Sequence, residues 1–258
     1  MNKLKDKVAL ITGSDSGIGR AIAESFAAEG ANIIVTYHSD KESAKKVEQR
    51  INKLGTKVST YQLDVSDEIS VQSVFGKVIK DFGKIDILVS NAGVNGSNIP
   101  VSEMDTKTFD TCIKTNLYGA FYCCREFLKL RKRGLKGSKI IIVSSIHEEV
   151  CTPGNADYNA SKGAVKNFSR SLALELAAKG VCVNNIAPGM ILTPMNQAAM
   201  NSKKIREKKE QHIPMKRAGK PQEIGPLAIY LASSDSDYIT GATFTIDGAL
   251  SINLGQGA

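Results

Sequence analysis

Long apolar runs are missing from this sequence. The longest, such as residues 140–143, fall far short of the roughly 20 residues that a membrane-spanning helix needs. The start of the chain is basic, but Val8–Ile11 is too short for the apolar region of a secretion signal, so an unexported, cytoplasmic protein with no membrane partner is expected. Cysteine is sparse and poorly arranged for cross-links. The five thiols (Cys112, Cys123, Cys124, Cys151 and Cys182) are odd in number, two are adjacent, and no CxxC pair occurs, which points away from a disulfide framework or a metal site. Reduced, mostly buried thiols are expected instead. No Pro/Ser-rich linker, internal repeat or low-complexity tract divides the 258 residues. They read as one domain, 1–258.

Charge is plentiful, with 34 Lys and Arg against 26 Asp and Glu, a net +8. The lysines are interleaved with acids, as in Lys203–Glu210 (KKIREKKE), which reads as a solvated helix face rather than a nucleic-acid surface. A positive surface helps attract an anionic cofactor or substrate.

The rhythm of the chain is strand, turn, helix. Apolar, β-rich segments at 8–12, 33–37, 57–63, 85–89, 139–144, 181–186 and 243–246 predict seven strands. Helices are predicted at 18–29, 41–53, from an N-cap at Ser66 to about 81, and at 157–179. A further long helix carries Phe109, Ile113, Leu117, Phe121, Cys124 and Leu128 at three- to four-residue spacing. Alternating strands and amphipathic helices predict an α/β fold, a Rossmann-type doubly wound parallel sheet of about seven strands with helices on both faces.

The segment 12–19, TGSDSGIG, follows the first strand and opens the first helix. Glycines there allow a tight turn and close approach of a pyrophosphate to a helix N-terminus, whose free N–H groups favour anions. The alternative is an ordinary strand–helix turn. Tyr158 and Lys162 stand four apart at the start of another helix and so share a face. A free tyrosine titrates near 10, and lowering that by about three units takes roughly 4 kcal/mol. A cation about 4 Å away supplies about that much at an effective dielectric near 20. The pair follows strand five, whose carboxyl end faces the cofactor crevice of such a fold.

The spacing GxxxGxG, with Gly13, Ser16, Gly17, Ile18 and Gly19, resembles that of the short-chain dehydrogenase/reductase family, and the resemblance runs over nearly the whole chain. Asp64-Val65 resembles the family's adenine-side contact, Asn91-Ala92-Gly93 its NAG motif, and Asn116 its helix asparagine. Tyr158 to Lys162 matches YxxxK, Asn184 lies in a matching strand, and Pro188-Gly189 followed by Thr193 matches the stretch beside the nicotinamide. The resemblance implies hydride transfer between NAD(P) and a secondary alcohol or ketone, with Tyr158 as general acid/base and Lys162 beside it. Ser145, thirteen residues before the tyrosine, is implied to hold the substrate oxygen, while Ser144 bonds nearby backbone. Asn116 either anchors a water that links Lys162 to solvent or simply bonds a carbonyl.

An aspartate at the end of strand two bonds the ribose 2′-hydroxyl in many NAD enzymes. Here Thr36-Tyr37-His38-Ser39 stands there, with no acid until Asp40. His38 and Ser39 can bond a 2′-phosphate, yet no Arg or Lys accompanies them. Dual use of NADP and NAD, with a lean to NADP, is expected.

For substrate, the stretch Ser145-Ile146-His147-Glu148, the residues around 194–196 and the tail 253–258 resemble bacterial glucose 1-dehydrogenases of the family. By that resemblance His147 and Asn196 lie near a sugar, although His147 equally satisfies loop backbone and Asn196 equally caps a helix. Asn95 follows the NAG motif where those sugar enzymes place an acid, a departure that leaves a polyol or another sugar open. The competing reading is a 3-oxoacyl-carrier-protein reductase, with Arg125, Arg131, Lys132 and Arg133 either meeting an acidic carrier or forming a solvated helix end. A cofactor-sensing protein without turnover is the third. Residues 190–213 read as a substrate lid. The resemblance further implies a homotetramer, consistent with glycines at 93, 189 and 241 and the apolar C-terminal segment.

Overall fold

The computed structural model describes residues 2–130 and 134–253. Seven strands form one sheet: β1 (Val8–Ile11), β2 (Asn32–Tyr37), β3 (Val58–Gln62), β4 (Ile87–Ser90), β5 (Lys139–Val143), β6 (Cys182–Pro188) and β7 (Thr243–Ile246). Their order is β3-β2-β1-β4-β5-β6-β7, and every pairing is parallel. Leu10 of β1 sits between Ile34 of β2 and Leu88 of β4. The order reverses between β1 and β4, which opens a crevice beyond their carboxyl ends.

The helices are α1 (Gly17–Ala28), α2 (Lys41–Asn52), α3 (Glu68–Phe82), α4 (Thr106–Ile113), α5 (Gly119–Lys129), α6 (Ala156–Leu176), α7 (Gln197–Asn201), α8 (Lys203–Glu210) and α9 (Gly225–Ala232). The central strands are mostly apolar on both faces because both are covered. Ala9, Ile11, Ile33 and Val35 pack with Ile22 and Phe26 of α1, Val47 of α2 and Leu231 of α9. Leu10, Ile34, Leu88 and Ile140 pack on the other face with Phe75 of α3, Phe127 of α5 and Leu172 of α6. Among the described residues no helix is long and apolar enough to cross a membrane.

Two expectations need correction. The cap of α3 is Asp67, whose carboxylate accepts the Ile69 N–H, while Ser66 turns back to Asp64. The long helix through Phe109 and Leu128 is interrupted by one π-turn, Lys114–Tyr118, between α4 and α5. Its apolar stripe therefore splits: Cys124 is buried, whereas Phe109 and Phe121 remain 38% and 37% exposed.

Candidate active site

The glycine turn is tied to both neighbouring strands. Thr36 Oγ1, at the end of β2, accepts the Gly13 N–H at 3.1 Å, and the Thr36 N–H donates to Ser14 Oγ at 3.0 Å. On the β4 side, the Asn91 and Ala92 N–H groups both donate to Thr12 Oγ1 at 2.9 Å. The Asn91 amide donates to the carbonyls of Thr12 and Gly13, each at 2.9 Å. Asn91 thus braces the turn. A methyl group on Gly19 would lie 2.2 Å from the Gly13 carbonyl oxygen, so the α1 backbone approaches the turn as closely as only glycine permits. Gly17, at φ +55°, faces Thr193 of the segment after β6. Ser16 begins α1 without a side-chain cap bond, which leaves first-turn N–H groups for an anion. This uncapped, glycine-lined cradle fits a dinucleotide pyrophosphate.

A cleft of about 1090 Å³ runs from this turn across the strand ends. It is roomy enough for a dinucleotide with a small substrate. Gly13, Ser16, Gly17, Ile18, His38, Ser39, Asp64, Val65, Asn91, Ala92, Gly93, Pro188, Gly189 and Thr193 all line it, as do Asn95, Ser145, His147, Tyr158, Lys162 and Asn196. Of the expected site residues, Gly19 and Asn116 stand behind its wall. Asn184 turns away from it, its amide bonding the Ile239 carbonyl at 2.8 Å.

At the β2 end the structure corrects the sequence reading. Asp15, from within the glycine turn, and Asp40 line the same cleft as His38 and Ser39. Burial pushes the Asp15 carboxyl up, and the nearby Asp40 charge adds to that. Burial also pushes the Asp64 carboxyl up, but two hydrogen bonds from Ser66 and the proximity of His38 outweigh it and hold it below the usual range. His38 Nε2 lies 3.7 Å from Asp64 Oδ2. Carboxylates therefore do face this end, and Asp15 was legible from its place between Gly13 and Gly17.

At the other end, β5 delivers Ser144 and Ser145, and the first two turns of α6 deliver Tyr158 and Lys162. The Lys162 ammonium donates to the Val143 carbonyl at 3.1 Å and lies 5.6 Å from the Tyr158 ring centroid. Burial lowers the Lys162 pKa to about 8. The expected depression of the phenol by this cation is not found. Burial dominates and raises the Tyr158 pKa, with the Ser145 hydroxyl acting in the opposite sense. One of the three ammonium N–H groups is committed to the Val143 carbonyl, and Lys162 is not among the groups that shift the phenol. Asn116, in the π-turn, holds Val94 by both backbone groups: Oδ1 accepts its N–H at 2.8 Å, and Nδ2 donates to its carbonyl at 3.1 Å. Nδ2 also reaches Ser161 Oγ at 3.0 Å, so this side chain is fully occupied.

The His147 ring sits edge-on to Tyr158, and its Nδ1 lies 2.7 Å from the Val150 carbonyl. A carbonyl only accepts, so Nδ1 carries a proton, and Nε2 is the ring nitrogen left for another partner. The Asn196 amide donates to Ile191 within its own segment at 2.8 Å and makes no cap bond to α7. Asn98, Asn155, Met190, Met195, Lys209, His212 and Leu250 also line the cleft. Met190, Met195, Lys209 and His212 belong to the segment 190–213 expected to cover the substrate, whereas Asn98, Asn155 and Leu250 were missed, because they come from three separate segments with no shared motif.

A family model described as enoyl-(acyl carrier protein) reductase matches residues 13–251. The chain is 37% identical to glucose 1-dehydrogenase 2 of Bacillus subtilis over 254 residues, 98% of each chain. It is 37% identical to 3beta-hydroxysteroid dehydrogenase 1 of Eggerthella lenta over 262 residues, again 98% of each. The crystal structure of acetoin dehydrogenase from Enterobacter cloacae superimposes with a TM-score of 0.89 at 33% identity, covering 98% of both chains.

Proposed function

Because the chain belongs to the short-chain dehydrogenase/reductase family of NAD(P)-dependent oxidoreductases, we propose that it interconverts a secondary alcohol and its carbonyl on a sugar or polyol. The observation that carries this reading is the convergence of Ser145, Tyr158 and Lys162 in the cleft that begins at the glycine turn. The nicotinamide supplies or accepts the hydride. Tyr158 exchanges the proton with the substrate oxygen, which the Ser145 hydroxyl orients. With its pKa raised, Tyr158 holds its proton at neutral pH and is ready to donate it to a carbonyl. The reverse direction requires added positive charge beside the phenol, and Lys162 contributes part of it. Asn116 positions Val94 and, in this reading, anchors a water leading to Lys162. Residues 1–258 act as one cofactor- and substrate-binding unit, with 190–213 as the lid.

The polyol class is supported by the glucose 1-dehydrogenase relative and by the outer cleft, where the Asn98 amide, held by Asn155 at 3.3 Å, and His147 Nε2 are placed to meet hydroxyl groups. Asn95 and Asn196 serve this end by holding lid backbone. The acyl-carrier reading is favoured by the description of the matched family model. Arg125, though, is engaged by Glu68 and lies over the rings of Phe121 and Tyr122, and the other basic residues of that reading, 131–133, lie outside the described residues. For the cofactor we propose dual use, with His38 and Ser39 recruiting a 2′-phosphate and Asp15 and Asp40 opposing it. These opposing groups keep the lean to NADP small. The exposed rings of Tyr118 and Phe121 suit a subunit interface in a homotetramer, and a cytoplasmic location fits a reduced-thiol enzyme.

A panel of aldoses, polyols, short ketones and β-ketoacyl thioesters, followed by nicotinamide absorbance with NADH and NADPH, tests the reading. Turnover of polyols or aldoses supports it. Activity on an acetoacetyl thioester alone selects the acyl-carrier alternative. Tight cofactor binding without any turnover selects the sensing alternative.

A further inference from the structure

Glu148 is a buried carboxylate for which the proposed chemistry has no use. It closes the 3-10 turn Ile146–Glu148 that follows Ser145, and its side chain is only 3% exposed. One carboxylate oxygen accepts the Ser144 hydroxyl, and the other lies 3.7 Å from Lys166 Nζ. A buried carboxylate in this setting costs stability unless its charge is matched.

Proton counting gives it a task. The Ser144 oxygen accepts the backbone N–H of Ser145, so its own proton goes to Glu148. The Glu148 N–H in turn donates to the Ser145 carbonyl at 3.0 Å. Ser145 Oγ accepts the His147 N–H at 3.2 Å, which leaves the Ser145 hydroxyl proton free to point toward the cleft. Ser145 is therefore gripped on its N–H, its carbonyl and its side-chain oxygen, and two of those three grips run through Glu148.

We propose that Glu148 is a positioning residue for the reaction: its carboxylate fixes Ser145 through the Ser144 hydroxyl, next to the Val143 carbonyl that holds the Lys162 ammonium, and so sets a negative charge on that side of the cation. That ammonium bonds the Val143 carbonyl of β5 at 3.1 Å and lies 5.6 Å from the Tyr158 ring of α6; the titratable groups that act on it are Cys112 of α4 and Glu148 of the 3-10 turn, and Glu148 itself faces Lys166, one turn further along α6, at 3.7 Å. Against the burial that disfavours the Lys162 charge, only Cys112 and Glu148 act as opposing groups. Burial raises the Cys112 thiol, which is neutral at ordinary pH and lends no charge. Glu148 is left as the support.

This inference rests on the proposed reading, and the test separates the two. In Glu148→Gln, of matching shape, kcat should fall about tenfold, and the alkaline limb of the pH–rate profile should move down by about half a unit to one unit. The Kd for NADPH should stay within about twofold, and Glu148→Asp should restore the limb. Ser144→Ala breaks the grip on Ser145 but keeps the charge, so kcat should fall with the limb unmoved. It also decides the matter should Glu148→Gln fail to fold. A wild-type kcat and limb in Glu148→Gln, or a wild-type kcat in Ser144→Ala, overturns the inference. Inactivity of the unmodified protein on the whole panel overturns the reading beneath it instead.

Discussion

The side-chain amide of Asn95 donates to the carbonyl of Met195 across 2.9 Å, joining the loop after β4 to the segment 190–213 over the mouth of the cleft. One such bond is worth about 1 kcal/mol. Asn95→Ala should therefore speed hydrogen exchange of the backbone amides in 190–213 by about fivefold and raise substrate KM. Amides of β1 and β4 should exchange unchanged. Equal protection of 190–213 in both proteins would show that this bond does not hold the lid.

Two glycines in helices should respond oppositely to alanine. Gly19→Ala forces a methyl group onto the Gly13 carbonyl, 2.2 Å away. A loss of about 3 kcal/mol in stability and of cofactor binding is expected. In α3, Gly76 meets nothing within 4 Å, and Gly76→Ala should stabilise by about 0.5–1 kcal/mol. Thermal unfolding of both variants, with cofactor titration of the first, checks the contrast.

Lys162 couples stability to pH. An unfolded lysine titrates near 10.4, whereas burial brings Lys162 to about 8. Below about pH 8 both states are protonated and the native state bears the full cost. Between about 8 and 10.4 the unfolded chain holds a proton that the native chain has lost, so stability rises with pH across that window. Lys162→Met removes the buried charge. At pH 7 it should gain about 1–3 kcal/mol, flatten the rise above pH 8, and lose turnover. Unfolding midpoints against pH, with initial rates, measure all three effects.

Much of this architecture was legible because parallel strands buried on both faces are mostly apolar, as the centres of β1, β2, β4 and β5 are; β6 also carries buried Asn184 and Asn185, whose amides are hydrogen-bonded. The glycine turn and the Tyr158–Lys162 pair were legible because each depends on local spacing. The π-turn was not: Phe109 through Leu128 keeps helical periodicity, and the interruption coincides with the tertiary bonds from Asn116 to Val94. Of the later helices, α8 coincides with the charged stretch Lys203–Glu210 read as a solvated helix face, whereas α7, which is short, and α9, which begins at Gly225-Pro226, were missed. The direction of the Tyr158 shift was missed for a different reason. Sequence gives the partner cation but not the depth of burial.

Asp15 should bias the cofactor choice. Its carboxylate lines the cleft beside His38 and Asp40, where a 2′-phosphate would add negative charge. Removing one such charge is worth on the order of 1 kcal/mol. Asp15→Asn should then tighten NADPH binding about fivefold and leave the NADH Kd within about twofold. Equal changes for both cofactors in a calorimetric titration would contradict this placement.

Tyr158→Phe, assayed on whichever substrate of the panel the unmodified protein turns over, bears most directly on the proposed chemistry. Removal of one phenol oxygen should lower kcat by about 10²–10⁴-fold, with the NADPH Kd within about threefold of the unmodified protein. In the unmodified protein, alcohol oxidation should accelerate as pH rises toward the elevated phenol range, and the variant should lose that dependence. A variant that retains both the rate and the pH dependence would show that the proton is carried by another group.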